Sequence, residues 1–390
     1  MWRTILLLAS IVALTPLAID MYLPAMPAIA ESLGAHLSVI QGSMSTFLVG
    51  FAIGQLIHGP LTDALGRRPI ALAGLTIFCA SSLLLTFADS SSMFLVLRVF
   101  QALGGAAGSV VINATITDRY KGHEAVQVRS TIIMVMTLAP MLAPTLGGGL
   151  LHWFGWRSIF AVLTAWSVVT LIWSAASLKE SNRNTHALSF SNVRLSYTSV
   201  IKQPLLWPWL SGLSLNSAAF FAFLGASPYV YIKVMGISPQ HFGFYFAANV
   251  VVMTLGAAFN SRLSRLFGAQ QVLRTAQKIQ ITALSLMLLL HLLDLLSLWT
   301  LVPLCAIYMG LNSFVFPNAT SLLMEKFSEK AGTTSALLGA AQFGTGALST
   351  FLVAQGTDHG ASAMIVMMFA GGISAFLLVG VGCRKLNGHS

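Results

Sequence analysis

Charge is scarce in this chain. Of its 390 residues only 8% are Asp, Glu, Lys or Arg, where soluble domains carry roughly 25%, so a water-soluble fold is excluded. Acids are rarer than bases, 11 against 21, giving a formal charge of +10. The basic residues are nevertheless spread in pairs and triplets between apolar runs. No dense basic segment exists for a nucleic acid to bind, and none is expected as a partner. Cysteine is almost missing: Cys79, Cys305 and Cys383 lie in or beside apolar segments at a spacing that fits no metal or redox motif. They read as packing residues, and no metal site is expected. There is no G-x-x-x-x-G-K-[ST], no H-E-x-x-H and no Ser/His/Asp arrangement, so machinery for ATP hydrolysis or for enzymatic chemistry is not visible.

What is abundant is apolar length. Hydrophobic residues make up 56% of the chain and its mean hydropathy is +0.80. A run of about 20 such residues crosses a hydrocarbon core of about 30 Å. Spans are expected at 4–24, 40–60, 69–88, 92–114, 131–152, 157–178, 205–231, 242–260, 274–293, 296–316, 333–355 and 362–382. The N-terminal stretch looks like a signal peptide but lacks a small-residue cleavage site and is interrupted by Asp20 and Pro24, so it reads as a retained first span. Orientation follows from the basic residues, which stay in the cytoplasm. With the N-terminus inside, every one of the 21 except Arg98, Arg157 and Lys233 falls in a cytoplasmic segment. The expected fold is therefore an all-α membrane protein of twelve transmembrane helices with both termini cytoplasmic. A polar linker at 179–204 separates two six-helix bundles, 1–178 and 205–390. The halves echo each other at a spacing of 205 residues, where Gly105 recurs as Gly310 and Asn113-Ala-Thr as Asn318-Ala-Thr.

Asp20 is the only acid well inside an apolar run. A carboxylate at a helix centre costs about 2.5 to 3.5 kcal/mol to insert, so it needs a partner, a wet cavity or a function. At about 1.5 Å per residue it lies roughly 25 Å above Arg3, while Arg98 lies roughly 9 Å below the outer start of the fourth span. The two are expected at comparable depth and as partners. The functional reading is a proton carrier on which desolvation and a nearby guanidinium act in opposite directions. The structural reading is a static ion pair between helices. Asp294 sits in a turn and carries neither reading.

Between the second and third spans the chain reads Gly59-Pro-Leu-Thr-Asp63-Ala-Leu-Gly66-Arg67-Arg68, a tight polar turn anchored by two arginines. Together with IDMYLPAMP, GQLIHGPLTDALGRRP, VVINATITDRY, SPYVYI and GFYFAANVV, it resembles the bicyclomycin-resistance (Bcr/CflA) branch of drug:proton antiporters in the major facilitator superfamily. The resemblance covers most of the chain. It implies the twelve-helix major facilitator fold and secondary active transport, not an enzyme: proton-coupled multidrug efflux from the bacterial cytoplasmic (inner) membrane by a monomer, driven by the proton gradient with no cofactor. Carried over by position, Asp20 resembles the first-helix acid, Arg98 in RVFQALGG the fourth-helix arginine, and Asp63, Arg67 and Asp118 a relay that latches the inner gate. The chain departs from the pattern at Thr117, which precedes Asp118, with Arg119 one place later. Pro140, Pro144, Gly147 and Gly148 in the fifth span resemble the antiporter motif, with Ala143 in place of its glycine.

Tyr22, Phe47, Phe51, Asn113, Phe220, Phe221, Tyr245, Asn249, Asn312, Asn318 and Gln342 are candidates to line a substrate cavity, which needs broad apolar area and few polar groups. Each asparagine or glutamine equally suits an interhelical hydrogen bond. Small amphiphilic drugs, protons and the lipid bilayer are the expected partners. A proton-coupled transporter of a small metabolite, such as a nucleoside or peptide, is the alternative left open.

Overall fold

In a hydrocarbon layer a backbone amide must be paired inside its own segment, which apolar runs of this length achieve only as helices. A computed structural model describes residues 2–120, 122–182, 190–327, 330–356 and 359–387. Among these it holds fourteen α-helices and no strand: α1 Trp2–Asp20, α2 Met26–Ser32, α3 Leu37–Leu65, α4 Arg67–Thr86, α5 Ser91–Arg119, α6 Gly122–Phe154, α7 Arg157–Ser177, α8 Phe190–Ile201, α9 Leu206–Pro228, α10 Pro239–Phe267, α11 Ala269–Leu292, α12 Leu298–Lys326, α13 Ala331–Gln355 and α14 Ser362–Asn387. Lys121 and Arg183, counted among the cytoplasmic cations, lie outside the described residues.

Among the described residues eleven helical segments are long and apolar enough to cross a membrane. The ninth expected span is α11, whose first half carries Arg274 and Lys278 among Gln270, Gln271, Gln277 and Gln280 and is correspondingly the least apolar. With it the expected twelve are present.

Two differences from the sequence reading bear on function. The first span is not one helix: α1 stops at Asp20, a 3-10 turn covers Leu23–Ala25, and α2 follows. Pro24 and Pro27 supply no backbone N–H and impose the break. The 179–204 linker, read from its polarity alone, also contains a helix, Phe190–Ile201. Val200 on that helix is fully buried in a core with Leu206, Trp209, Leu213 and Val315, and this burial holds α8 in place.

The chain forms two compact units, Met1–Phe190 with Pro239–Gly243, and Ser191–Ser238 with Phe244–Ser390. They share one packing order. In the first, α1 packs on α6 and α7, and α4 on α5 and α7; in the second, α9 packs on α13 and α14, and α11 on α12 and α14. Small residues set the closest approaches, as expected where helix association relies on van der Waals contact. A Cβ on Gly104 of α5 would stand 2.5 Å from the Gly74 carbonyl oxygen of α4.

Candidate functional site

Asp20 is the last residue of α1 and is 3% exposed. Its Oδ1 is buried without a hydrogen-bond partner. Helix ends leave carbonyls unpaired, and one of these, Ala18 O, is taken by Arg98 Nη1 at 3.0 Å. The same nitrogen donates to Gln101 Oε1 at 2.6 Å, Gln101 Nε2 donates to Ser82 Oγ at 2.9 Å, and Ser82 Oγ to Phe78 O at 2.7 Å. A polar chain thus runs from α1 through α5 to α4 inside an otherwise apolar bundle.

The expected pairing of Asp20 with Arg98 is not formed. Among the described residues the ion pairs are Arg67 with Asp63 and Arg67 with Asp118, and Arg98 Nε and Nη2 have no partner. Arg98 is nonetheless fully buried. Its guanidinium lies between two aromatic faces, 4.2 Å from the Tyr22 centroid and 4.3 Å from that of Phe47. Ring quadrupoles attract a desolvated cation by about 2 kcal/mol each, and the carboxyl-terminal end of α1 adds a negative dipole. These replace the carboxylate as counter-charge and leave Asp20 available. Depth arithmetic placed the two residues at one level but could not supply the rotation of α1, which decides which group faces Arg98.

Helix α6 reaches the same place. Pro140 and Pro144 lie inside α6, which stays one helix. A Cβ on Gly147 would stand 1.8 Å from Met21 O, so α6 rests its glycine directly on the turn that follows Asp20. Gly148 is buried on the same helix. Of the proposed cavity residues, Tyr22 is fully buried and its hydroxyl is 3.0 Å from Ser43 Oγ, and Phe47 stacks on Phe51 with centroids 6.5 Å apart. Asn113 is exposed and donates within its own helix to Ser109 O.

In the second unit the structure separates the candidates. Phe220 and Phe221 pack edge to face and continue to Phe316 and Phe343. Asn312 Oδ1 accepts from Asn216 Nδ2 at 2.7 Å, and Asn318 Nδ2 donates to Asn260 Oδ1 at 2.7 Å while its Oδ1 accepts from Ser264. These two are interhelical hydrogen bonds. Asn249 donates to its own helix at Tyr245 O, Tyr245 packs on Tyr231, and the Gln342 carbonyl accepts from Thr345.

The cytoplasmic turn forms a second cluster. Gly66 has φ +98°, a conformation glycine adopts at little cost, and it joins α3 to α4 with Gly59 about two turns earlier. Arg67 Nη1 donates to Asp63 Oδ1 at 2.6 Å and Nε to Asp118 Oδ2 at 3.2 Å, so one guanidinium bridges α3 and α5. Arg68 Nη2 donates to Ala175 O of α7 at 2.9 Å.

Sequence reasoning missed Glu180. Its carboxylate accepts the backbone N–H of Arg67 at 2.9 Å and of Arg68 at 3.0 Å, capping α4 where the helix dipole favours an anion. Burial pushes the Glu180 carboxyl up, but the N–H groups of Asn182, Arg67, Arg68 and Ser181 outweigh it and hold the group below the usual glutamate range. Ser181 Oγ donates to Asp118 Oδ2, Asn182 Nδ2 to Asp63 O, and Arg119 Nη2 to Lys179 O. The segment after the sixth span is therefore tied into the motif. Its signal was a lone acid in a basic, polar stretch, where a cap and a solvated charge read alike. Gln101 stood in plain view in RVFQALGG, one turn after Arg98.

Residues 8–350 match the Major Facilitator Superfamily. The chain belongs to that superfamily. This facilitator is 32% identical to the bicyclomycin resistance protein homolog of Haemophilus influenzae over 94% of its own length and 92% of the relative's. It is 31% identical to a chloramphenicol resistance protein of Pseudomonas aeruginosa, over 86% and 81% of the two chains. It is 29% identical to the multidrug resistance protein MdtL of Salmonella paratyphi C, over 88% and 85%. The facilitator fold is shared with a D-xylose-proton symporter, at TM-score 0.74 and 15% identity over 96% of each chain. It is also shared with the human organic anion transporter MFSD10, at TM-score 0.70 and 17% identity over 96% of this chain and 98% of that one. The expected fold, membrane location and transporter class stand.

Proposed function

We propose that this facilitator exports small amphiphilic drugs across the bacterial cytoplasmic membrane in exchange for protons, by alternating access. The observation that carries the reading is the placement of Asp20. It is a buried acid at the end of α1, with one oxygen unpartnered, one residue before the carbonyl on which Gly147 of the antiporter motif rests. Movement of α6 relative to α1 bears on the turn that presents this carboxyl, which couples its proton to conformation. Drug enters from inside while Asp20 is ionised, and protonation from outside favours release. Arg98, fixed to Ala18 O, Gln101 and two rings, supplies a steady positive field beside that exchange. The resistance-protein names of the relatives support drugs as the cargo class.

The energetics suffice. One proton moving down 100 mV yields about 2.3 kcal/mol, and tenfold accumulation of a neutral drug costs about 1.4 kcal/mol. The test is transport into everted vesicles with bicyclomycin and chloramphenicol as probes, with and without an uncoupler. Uncoupler-sensitive accumulation by the wild type, lost in a folded Asp20→Asn variant, is the expected result. Accumulation by Asp20→Asn against a gradient would overturn the assignment of the proton carrier.

A further inference from the structure

One histidine inside a span has no part in the exchange at Asp20. His58 lies on α3, seven residues before its cytoplasmic end at Leu65, about 10 Å by helical rise and so within the inner half of a hydrocarbon core of about 30 Å. Its Nδ1 is 2.8 Å from Gly54 O. A carbonyl oxygen only accepts, so Nδ1 carries the ring proton. Nε2, an acceptor in the neutral ring, makes no hydrogen bond among the described residues, and the ring is only half-buried.

Helical spacing puts His58 on one stripe of α3 with Phe47, Phe51 and Gln55, the stripe on which the Arg98 guanidinium lies over Phe47. Exposed Val49, Ile53 and Leu56 occupy the other side of that helix. On α5 the stripe of Arg98 and Ala102 continues to Ser109 and Asn113, while exposed Val96 and Phe100 lie on a different side. The two polar stripes meet where Gln55 Nε2 donates to Ser109 Oγ at 3.0 Å. Apolar side chains meet lipid at no cost. An imidazole and two carboxamides at this depth belong instead on a face that water or a ligand reaches.

Asn312 and Asn318 are buried, with their amides bonded to neighbouring helices. Asn113 differs. It is exposed, and its bond from Nδ2 to Ser109 O at 3.1 Å stays within its own helix, which leaves Oδ1 and one N–H to spare. Gln55 keeps Oε1 and one N–H, and His58 keeps Nε2. No carboxylate is paired with any of the three among the described residues. The spare atoms mix donors with acceptors and carry no negative charge, which complements a neutral head with hydroxyl or amide groups. Arg98 lies roughly 16 Å further along α5 from Ser109, so cargo arriving from the cytoplasm meets this patch before it meets Asp20.

We propose that His58, Gln55 and Asn113 form a cytoplasmic entry subsite that selects cargo bearing hydroxyl or amide groups. The proposal rests on the drug-export reading and adds to it the chemical class of drug. Nε2 of His58 accepts from a hydroxyl or N–H of the cargo, and the two carboxamides bond its remaining polar groups.

The test is isothermal titration calorimetry of the full-length protein in neutral detergent with three probes. Chloramphenicol carries hydroxyls and an amide, its 3-O-acetyl derivative has one hydroxyl masked, and tetraphenylphosphonium has neither group. The wild type should bind chloramphenicol at least threefold tighter than the acetyl derivative. His58→Phe and Asn113→Leu should each weaken chloramphenicol at least fivefold and leave tetraphenylphosphonium within twofold, with thermal midpoints within a few degrees of the wild type. His58→Gln, which restores an acceptor, should recover most of the affinity. Equal affinity of the wild type for chloramphenicol and its acetyl derivative overturns the subsite and needs no variant to show it. Unchanged chloramphenicol binding in both variants, or an equal loss of chloramphenicol and tetraphenylphosphonium, overturns it too and leaves the export reading standing. Binding of no probe by the wild type would sink the drug reading and the subsite with it. Proton coupling does not enter the readout, so the outcome for Asp20→Asn is independent of this one.

Discussion

Arg98 is bonded to the carbonyl of Ala18 at 3.0 Å, two residues before Asp20, and not to the Asp20 carboxyl. A buried guanidinium that locked the acid in an ion pair would hold its proton equilibrium fixed. A guanidinium anchored on backbone and aromatic rings instead leaves the Asp20 Oδ1 without a hydrogen-bond partner. Arg98 is thus held by groups other than the Asp20 carboxyl.

Gln101 holds Arg98 in place. It accepts from Arg98 and donates to Ser82, fully buried. Gln101→Leu leaves Arg98 Nη1 and Ser82 with one partner fewer, which costs about 1–3 kcal/mol. A lowered thermal midpoint and reduced transport are expected together, and an unchanged midpoint would show that the chain of hydrogen bonds is dispensable.

Gly147 should be intolerant of the smallest change. In a helix interior Gly→Ala ordinarily stabilises by about 1 kcal/mol. Here the new Cβ would stand 1.8 Å from Met21 O, a backbone atom with no rotamer to yield, so the sign reverses. Gly147→Ala should destabilise the protein and reduce efflux. Gly59→Ala, with nothing within 4 Å, serves as the tolerant comparison.

The cluster of Asp63, Arg67 and Asp118 should matter more for transport than for stability. Asp63 is 70% exposed and Asp118 26%, and ion pairs of this kind contribute about 0–1 kcal/mol. Asp118→Asn removes the pair between Arg67 at the start of α4 and the end of α5 with little change in thermal midpoint. Efflux rates measured in vesicles should fall severalfold, and a rate equal to the wild type would dissociate the turn from gating.

Glu180 should set part of the acid sensitivity. Its folded value lies below the ordinary 4.5, so its contribution is complete above that value and is lost as pH falls through the depressed one. Glu180→Gln should flatten the dependence of the thermal midpoint on pH below about 4.5. The wild type should steepen there, and parallel curves would count against the cap.

Much of this protein is legible in its sequence. The twelve spans follow from apolar length, and the Asp63-x-x-Gly66-Arg67 turn follows from residue types whose local conformation is nearly forced. The break after Asp20 was less legible, because an apolar run continues through Met21 and Leu23 while Pro24 and Pro27 interrupt only the hydrogen bonding. Asn312 and Asn318 show the converse: an intramembrane amide announces that it needs a partner without saying whether the partner is a substrate or a neighbouring helix.

The sequence by itself determined that the chain is helical, membrane-spanning and built of two similar halves, since hydropathy, length and charge act locally and add along the chain. Only the tertiary structure decided that Arg98 takes Ala18 and not Asp20, that Glu180 caps α4 across 113 residues, and that Gly147 lies against Met21. These depend on how each helix is rotated about its axis when it packs. A rotation of one residue, about 100°, exchanges every partner while leaving the composition and span of the helix unchanged.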